Sequence, residues 1–97
     1  MKVVVCENAS DFLPSKHSES DVRVKGSTTH CRIHFMADSE AAKKFTEHGY
    51  EFTYSRSVAN GIEKGFQLKG HYEFVVSLLR VILGNDTEID FSLIDRD

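Results

Sequence analysis

Residues 29–36 carry the pattern that most restricts the fold. Thr29, Cys31, Ile33 and Phe35 alternate with His30, Arg32, His34 and Met36, and a period of two marks a β-strand with unlike faces. The period then lengthens. Asp38 or Ser39 is placed to cap a helix by accepting from a free N–H of its first turn. Ala41, Ala42 and Phe45 give that helix an apolar face, and Lys43, Lys44 and Glu47 a wet one. Gly49 ends it, since glycine takes the left-handed conformation cheaply. Alternation returns over 51–58, with Phe52, Tyr54 and Val58 against Glu51, Thr53, Ser55 and Ser57. Asn60-Gly61 is a hairpin signal, because both residues tolerate positive φ. Residues 62–69 form the return strand, with Ile62, Phe66 and Leu68 on one face. A second helix is expected from about Tyr72 to Leu83, ended by Gly84-Asn85, and a last strand over 88–94, with Ile89, Phe91 and Leu93 together.

From residue 29 the order is therefore β-α-β-β-α-β, the split βαβ or ferredoxin-like arrangement of the α+β class, covering residues 29–95. Right-handed crossovers put its four strands in the order 4-1-3-2, antiparallel, with both helices on one face. Residues 1–28 are an N-terminal β extension. Val3-Val4-Val5-Cys6 lies in a short strand over 2–6, and residues 7–20 are a Ser-rich loop with the only proline, Pro14. Phe12-Leu13 pins that loop to the core. Asp21-Val22-Arg23-Val24-Lys25 alternates as a strand, and Gly26-Ser27 turns it into the next. These strands are expected to extend the sheet or cover an edge. A chain of 97 residues makes a single domain, 1–97.

The alternation assigns the two sheet faces. The helix-covered face holds Cys31, Ile33, Phe35, Phe52, Tyr54, Ile62, Phe66, Leu68, Ile89, Phe91 and Leu93. The open face holds His30, Arg32, His34, Thr53, Ser55, Glu63, Gln67, Glu88, Asp90 and Ser92. With the last strand beside the first of the βαββαβ unit, Arg32 and its two histidines face Glu88 and Asp90. That is either ordinary cross-strand charge pairing or a polar binding face centred on His30, Arg32 and His34.

No motif fixes a reaction, and no catalytic residue, cofactor or metal is expected. His30 and His34 lie about 13 Å apart on one strand while Cys31 points to the other face, so they do not share a tetrahedral zinc. Gly-x-Ser-x-Gly, Walker-type and His-Glu-x-x-His patterns are missing. Cys6 and Cys31 sit in apolar runs and are expected as buried reduced thiols. No apolar run approaches the ~18 residues of a membrane span, and no export signal is read at the N-terminus. The expected location is the cytoplasm.

Two family resemblances follow from the order of elements. Lys64-Gly65-Phe66 resembles the opening of the RNA-recognition-motif signature, which implies nucleic-acid binding, here through Arg23, Lys25, Arg32, Lys64 and Lys69. Leu68 stands where that family has its second aromatic, and the open face lacks a stacking platform. The length and order also resemble acylphosphatase. That family's loop Gly-x-Val-Gln-Gly-Val-x-Phe-Arg is replaced here by Gly26-Ser27-Thr28-Thr29-His30-Cys31-Arg32-Ile33-His34, so its catalytic residues do not carry over.

Two features point to a partner. In the second helix Tyr72, Val75, Val76, Leu79, Ile82 and Leu83 form one apolar stripe and Phe74, Leu78 and Val81 a second. A helix apolar over most of its circumference is covered on more than one side. The second cover is either the N-terminal segment, with Val3, Val5, Phe12 and Leu13, or a partner, most simply a second copy in a homodimer. The formal charge of −3 is also unevenly placed. Residues 86–97 hold five acids against Arg96, a net of −4, so the first 85 residues sum to +1. The leading expectation is a non-catalytic protein-binding module, a regulator or inhibitor. It docks through Glu88, Asp90, Asp95 and Asp97 and the apolar set Phe74, Leu78 and Val81. The alternatives are the nucleic-acid module and a small-ligand sensor or enzyme at the polar sheet face.

Overall fold

The computed structural model describes residues 1–94. It is a small α+β domain: a six-stranded mixed sheet and two α-helices. The strands are β1 (Lys2–Cys6), β2 (Val22–Gly26), β3 (His30–Met36), β4 (Tyr54–Val58), β5 (Gly61–Lys69) and β6 (Glu88–Leu93), and the helices are α1 (Glu40–Glu47) and α2 (Tyr72–Leu83). No helix among the described residues is long and apolar enough to cross a membrane.

The elements arise where local chemistry places them. Ser39 is the cap of α1, its Oγ accepting from the Ala42 N–H at 3.2 Å and donating to the Met36 carbonyl. His71 caps α2, with Nδ1 accepting from the Glu73 N–H at 3.3 Å. Gly49, at φ 85°, takes the chain out of α1.

The strand order is β4-β5-β3-β2-β1-β6. This corrects the four-stranded ferredoxin-like expectation. The β4-β5-β3 half is as that topology requires, but β6 pairs in parallel with β1, not with β3. The N-terminal strands are inserted into the middle of the sheet rather than added at an edge. The reason lies in their side chains. Val3, Val4, Val5 and Cys6 are all buried, on both faces of β1, and such a strand is stable only in the interior of a covered sheet. Strand β6 alternates, with Glu88, Asp90 and Ser92 wet, and is suited to an edge.

The connections decide which face each segment covers. Helices α1 and α2 touch one another and pack on the same face, burying Val3, Val5, Val22, Val24, Cys31, Ile33, Phe35 and Phe66 against Phe45, Val75, Leu79 and Ile82. Strands β1 and β2 are also parallel neighbours, so residues 7–21 must cross over the sheet. This third crossover advances in the same direction as the one through α1, but between strands of opposite sense. Right-handedness therefore sends it to the face away from the helices. Two 3-10 turns, Ala9–Asp11 and Pro14–Lys16, carry it across.

One side chain leaves the face that alternation predicts, and a second keeps its face without being buried. Regular pairing in β4 starts at Tyr54, opposite Gly65, so the phase set by Phe52 does not continue into the strand. Phe52 packs in the core, 4.9 Å from the Phe35 ring, and Tyr54 turns to the far face. Ile62, at the hairpin end of β5, is 48% exposed. Cys6 and Cys31 are both free and buried.

Candidate functional site

Strand register assembles the site. Arg23 on β2 stands opposite His34 on β3, and His34 opposite Gly65 on β5. Tyr54 on β4 is the next partner of Gly65, and Glu63 lies one same-face step from it along β5. All project to the face away from the helices, where the 7–21 crossover covers them. The Glu63 carboxylate is thereby enclosed, at 1% exposure. Its Oε1 accepts from Arg23 Nη2 at 2.6 Å and from His34 Nδ1 at 2.7 Å. Arg23 Nη1 donates in addition to the Phe12 carbonyl of the crossover, and its guanidinium lies 4.9 Å from the centre of the Phe12 ring.

The imidazole of His34 is clamped on both sides. Tyr54 stacks on it at 4.2 Å and Phe12 meets it at 4.7 Å. Gly65 makes this possible: a Cβ there would stand 2.4 Å from His34 Cδ2 and 2.6 Å from the Ile33 carbonyl. Burial pushes the His34 pKa down. The Glu63 charge works against that shift, and Arg23 and Arg32 work with it. A neutral imidazole donating from Nδ1 keeps its lone pair on Nε2. Nε2 has no protein partner among the described residues and is not one of the fully buried atoms. Glu63 Oε2 is buried and also lacks a protein partner there. The arrangement thus leaves an enclosed, unpartnered carboxylate oxygen behind an oriented neutral histidine whose Nε2 is the open acceptor. That is also the form in which histidine takes up a proton.

Both residues line a cleft of about 540 Å³ between the crossover and strands β2 to β5, within the size range of small-molecule sites. Leu13, Pro14, Met36 and Val58 are among its apolar walls, and Ser18, Ser20, Asn60 and Arg56 are among its polar groups.

The structure keeps one residue of the expected polar face in this site and separates the others. His30 and Arg32 are exposed. Two inserted strands part them from β6, so Arg32 does not face Glu88 or Asp90; it lies between Lys25 and Gln67. His30 pairs with Lys69, so Lys25, Arg32 and Lys69 share one end of the open face. Of the other expected nucleic-acid contacts, Arg23 is buried on Glu63, and Lys64 falls on the opposite side by alternation. Glu88 and Asp90 are exposed on the edge strand. The Ser92 N–H bonds to Asp90 at 2.8 Å and holds its carboxyl below the usual range. Asp95 and Asp97 lie outside the described residues. On α2, Phe74 and Val81 are 65% and 72% exposed, with Leu78 half-buried between them. The N-terminal segment does not cover this stripe, since Phe12 and Leu13 lie across the sheet from it.

Arg23 was expected as a nucleic-acid contact and Glu63 only as a member of the open face; their meeting with His34 was not expected, although a signal for the Arg23–His34 neighbourhood existed. With the turn centred between Thr28 and Thr29, the β2–β3 hairpin sets Arg23 against His34. The comparisons with protein-family models, curated proteins and solved structures found no match for this chain.

Proposed function

We propose that this domain binds a small molecule in the cleft on the far face of its sheet, as a sensor or carrier built around His34. One observation carries this reading: an enclosed Arg23–Glu63–His34 network on the wall of a cleft of about 540 Å³, with one carboxylate oxygen unpartnered. Buried ionised groups are weak contributors to stability, and they concentrate at functional sites. The test is thermal shift of the full chain across a metabolite panel, repeated on His34→Phe and Arg32→Ala. The expected result is stabilisation by one ligand class that Arg32→Ala keeps and His34→Phe loses. Equal loss in both variants, or no stabilisation by any compound, overturns it.

A second reading has its own observation. The uncovered Phe74–Leu78–Val81 stripe favours docking of a protein; Glu88 and Asp90, in register with Lys2 and Val4, have the parity of the opposite sheet face and are not part of that surface. Sedimentation tests its simplest form, a homodimer. A concentration-dependent dimer that Phe74→Glu dissociates supports it, and a monomer at high concentration removes it.

A further inference from the structure

We infer that the uncovered stripe of α2 takes a second copy of this chain, with the two α2 helices antiparallel across a two-fold axis. This rests on the stripe being a docking surface and adds what docks there and in which orientation. Three observations carry it. First, the outer side of α2 is divided into two rows. Phe74, Leu78 and Val81 make an apolar row, with Phe74 65% and Val81 72% exposed; Glu73, Ser77 and Arg80 make a polar row beside it, all three exposed. Each row keeps the i, i+4, i+7 spacing of one helix face, and the rows stand one residue, about 100°, apart. Second, the apolar row is complementary to itself. An axis beside the peptide between Ser77 and Leu78 sets Phe74 level with Val81 of the second copy and Leu78 level with Ser77, so a larger side chain meets a smaller one at each level. The Ser77 hydroxyl donates to the Glu73 carbonyl at 3.2 Å and brings no unpaired donor into the contact. Third, the polar row carries both signs. Glu73 lies in the first turn of α2 and Arg80 in the last, and neither is in an ion pair among the described residues.

Symmetry turns the charges into an orientation. A two-fold axis perpendicular to the helices makes them antiparallel and keeps both polar rows on one side of the contact, in reversed order. Glu73 of each copy then faces Arg80 of the other, about 3 Å apart along the helix direction at a rise of about 1.5 Å per residue, and symmetry makes this pair twice. An axis along the helices makes them parallel and puts the polar rows on opposite sides, where neither charge meets its opposite. Charge complementarity therefore selects the antiparallel pair. A partner of one sign would set either Glu73 or Arg80 against a like charge, whereas a second copy supplies both opposites. One pair of helices is at the low end of interface sizes, so the dimer is weak and exchanges with monomer.

Sedimentation equilibrium of the full chain, up to about 1 mM so that a weak contact is populated, tests this on Glu73→Arg, Arg80→Glu and the double variant, all at exposed positions. The expected result is a dimer that either single reversal weakens about tenfold, because each turns two attractions into two repulsions. The double variant keeps the net charge of the native chain and restores each pair with its signs exchanged, so its affinity returns to within about threefold of native. Phe74→Glu dissociates the dimer. If Phe74→Glu dissociates it but the single reversals do not weaken it, or the double variant is no tighter than the single ones, the antiparallel arrangement is overturned and the stripe remains a docking surface. A dimer that survives Phe74→Glu lies on another face and overturns the inference. A monomer at every concentration overturns both the inference and the homodimer form of the docking proposal.

Discussion

The buried ion pair makes the strongest demand on the structure. Replacing Glu63 by Met keeps most of the side-chain volume and removes the charge. Arg23, at 5% exposure, then keeps only the Phe12 carbonyl and the Phe12 ring, and His34 Nδ1 loses its acceptor. Removing one member of a buried pair costs about 3–5 kcal/mol, because the remaining charge is left in low dielectric. A domain of this size has roughly 5–15 kcal/mol of stability in all. The expected fall in melting temperature, at about 4–8 °C per kcal/mol, is at least about 12 °C. Urea unfolding followed by circular dichroism measures the loss directly. The double variant Arg23→Met with Glu63→Met removes both charges, and it should recover most of the stability, since matched apolar replacements of buried pairs are often neutral. A loss below about 1 kcal/mol for Glu63→Met would refute the enclosure of this carboxylate. A double variant as unstable as the single would place the cost in packing rather than in charge.

Three further outcomes follow from the same geometry. His34 has its pKa lowered from the ordinary 6.5 by burial. The unfolded chain therefore binds the proton first, and stability is lost as pH falls below about 6.5; denaturation at several pH values should show a slope that His34→Phe removes. Gly65→Ala puts a methyl group 2.4 Å from His34 Cδ2 and should cost about 1–3 kcal/mol, with the His34 ring signals displaced, whereas Gly49→Ala should leave them in place. The Cys6 thiol, pushed up to about 11 chiefly by burial, should resist alkylation at about pH 8 in the native chain and react in urea; rapid native labelling at Cys6 would contradict its burial.

The boundaries of β3, α1, β5 and α2 were legible because each depends on neighbours in the chain. Period-two and helical spacing and the Ser39 cap are local signals that the structure uses; the hairpin is one residue off the Asn60-Gly61 expectation, with Ala59-Asn60 as its loop, Gly61 paired with Val58 and no positive φ at Asn60. The unpaired stripe on α2 was legible for the same reason, although its lack of cover was not. Strand order was misread where it depended on competition between strands for the sheet interior. Val3-Val4-Val5-Cys6 is apolar without alternation, which is the mark of a strand covered on both faces; weighing it against the alternating Glu88–Leu93 places β1 inside and β6 at the edge.

The candidate site lies on the other side of that division. By itself the sequence determined that His34 and Arg23 project from the polar faces of their strands, and that Phe12-Leu13 must find apolar cover. It also determined a glycine at position 65 among bulkier strand residues. Only the tertiary structure decided that these groups meet. Inserting β1 and β2 next to β3 replaces Glu88 and Asp90 with Arg23 as the neighbour of His34, and the right-handed β1–β2 crossover closes the face over Glu63. A carboxylate assigned to open solvent thereby becomes the buried centre of a charged network. Its partners and cover come from segments about thirty to fifty residues distant in the chain, and contacts at that separation leave no periodic trace in a sequence.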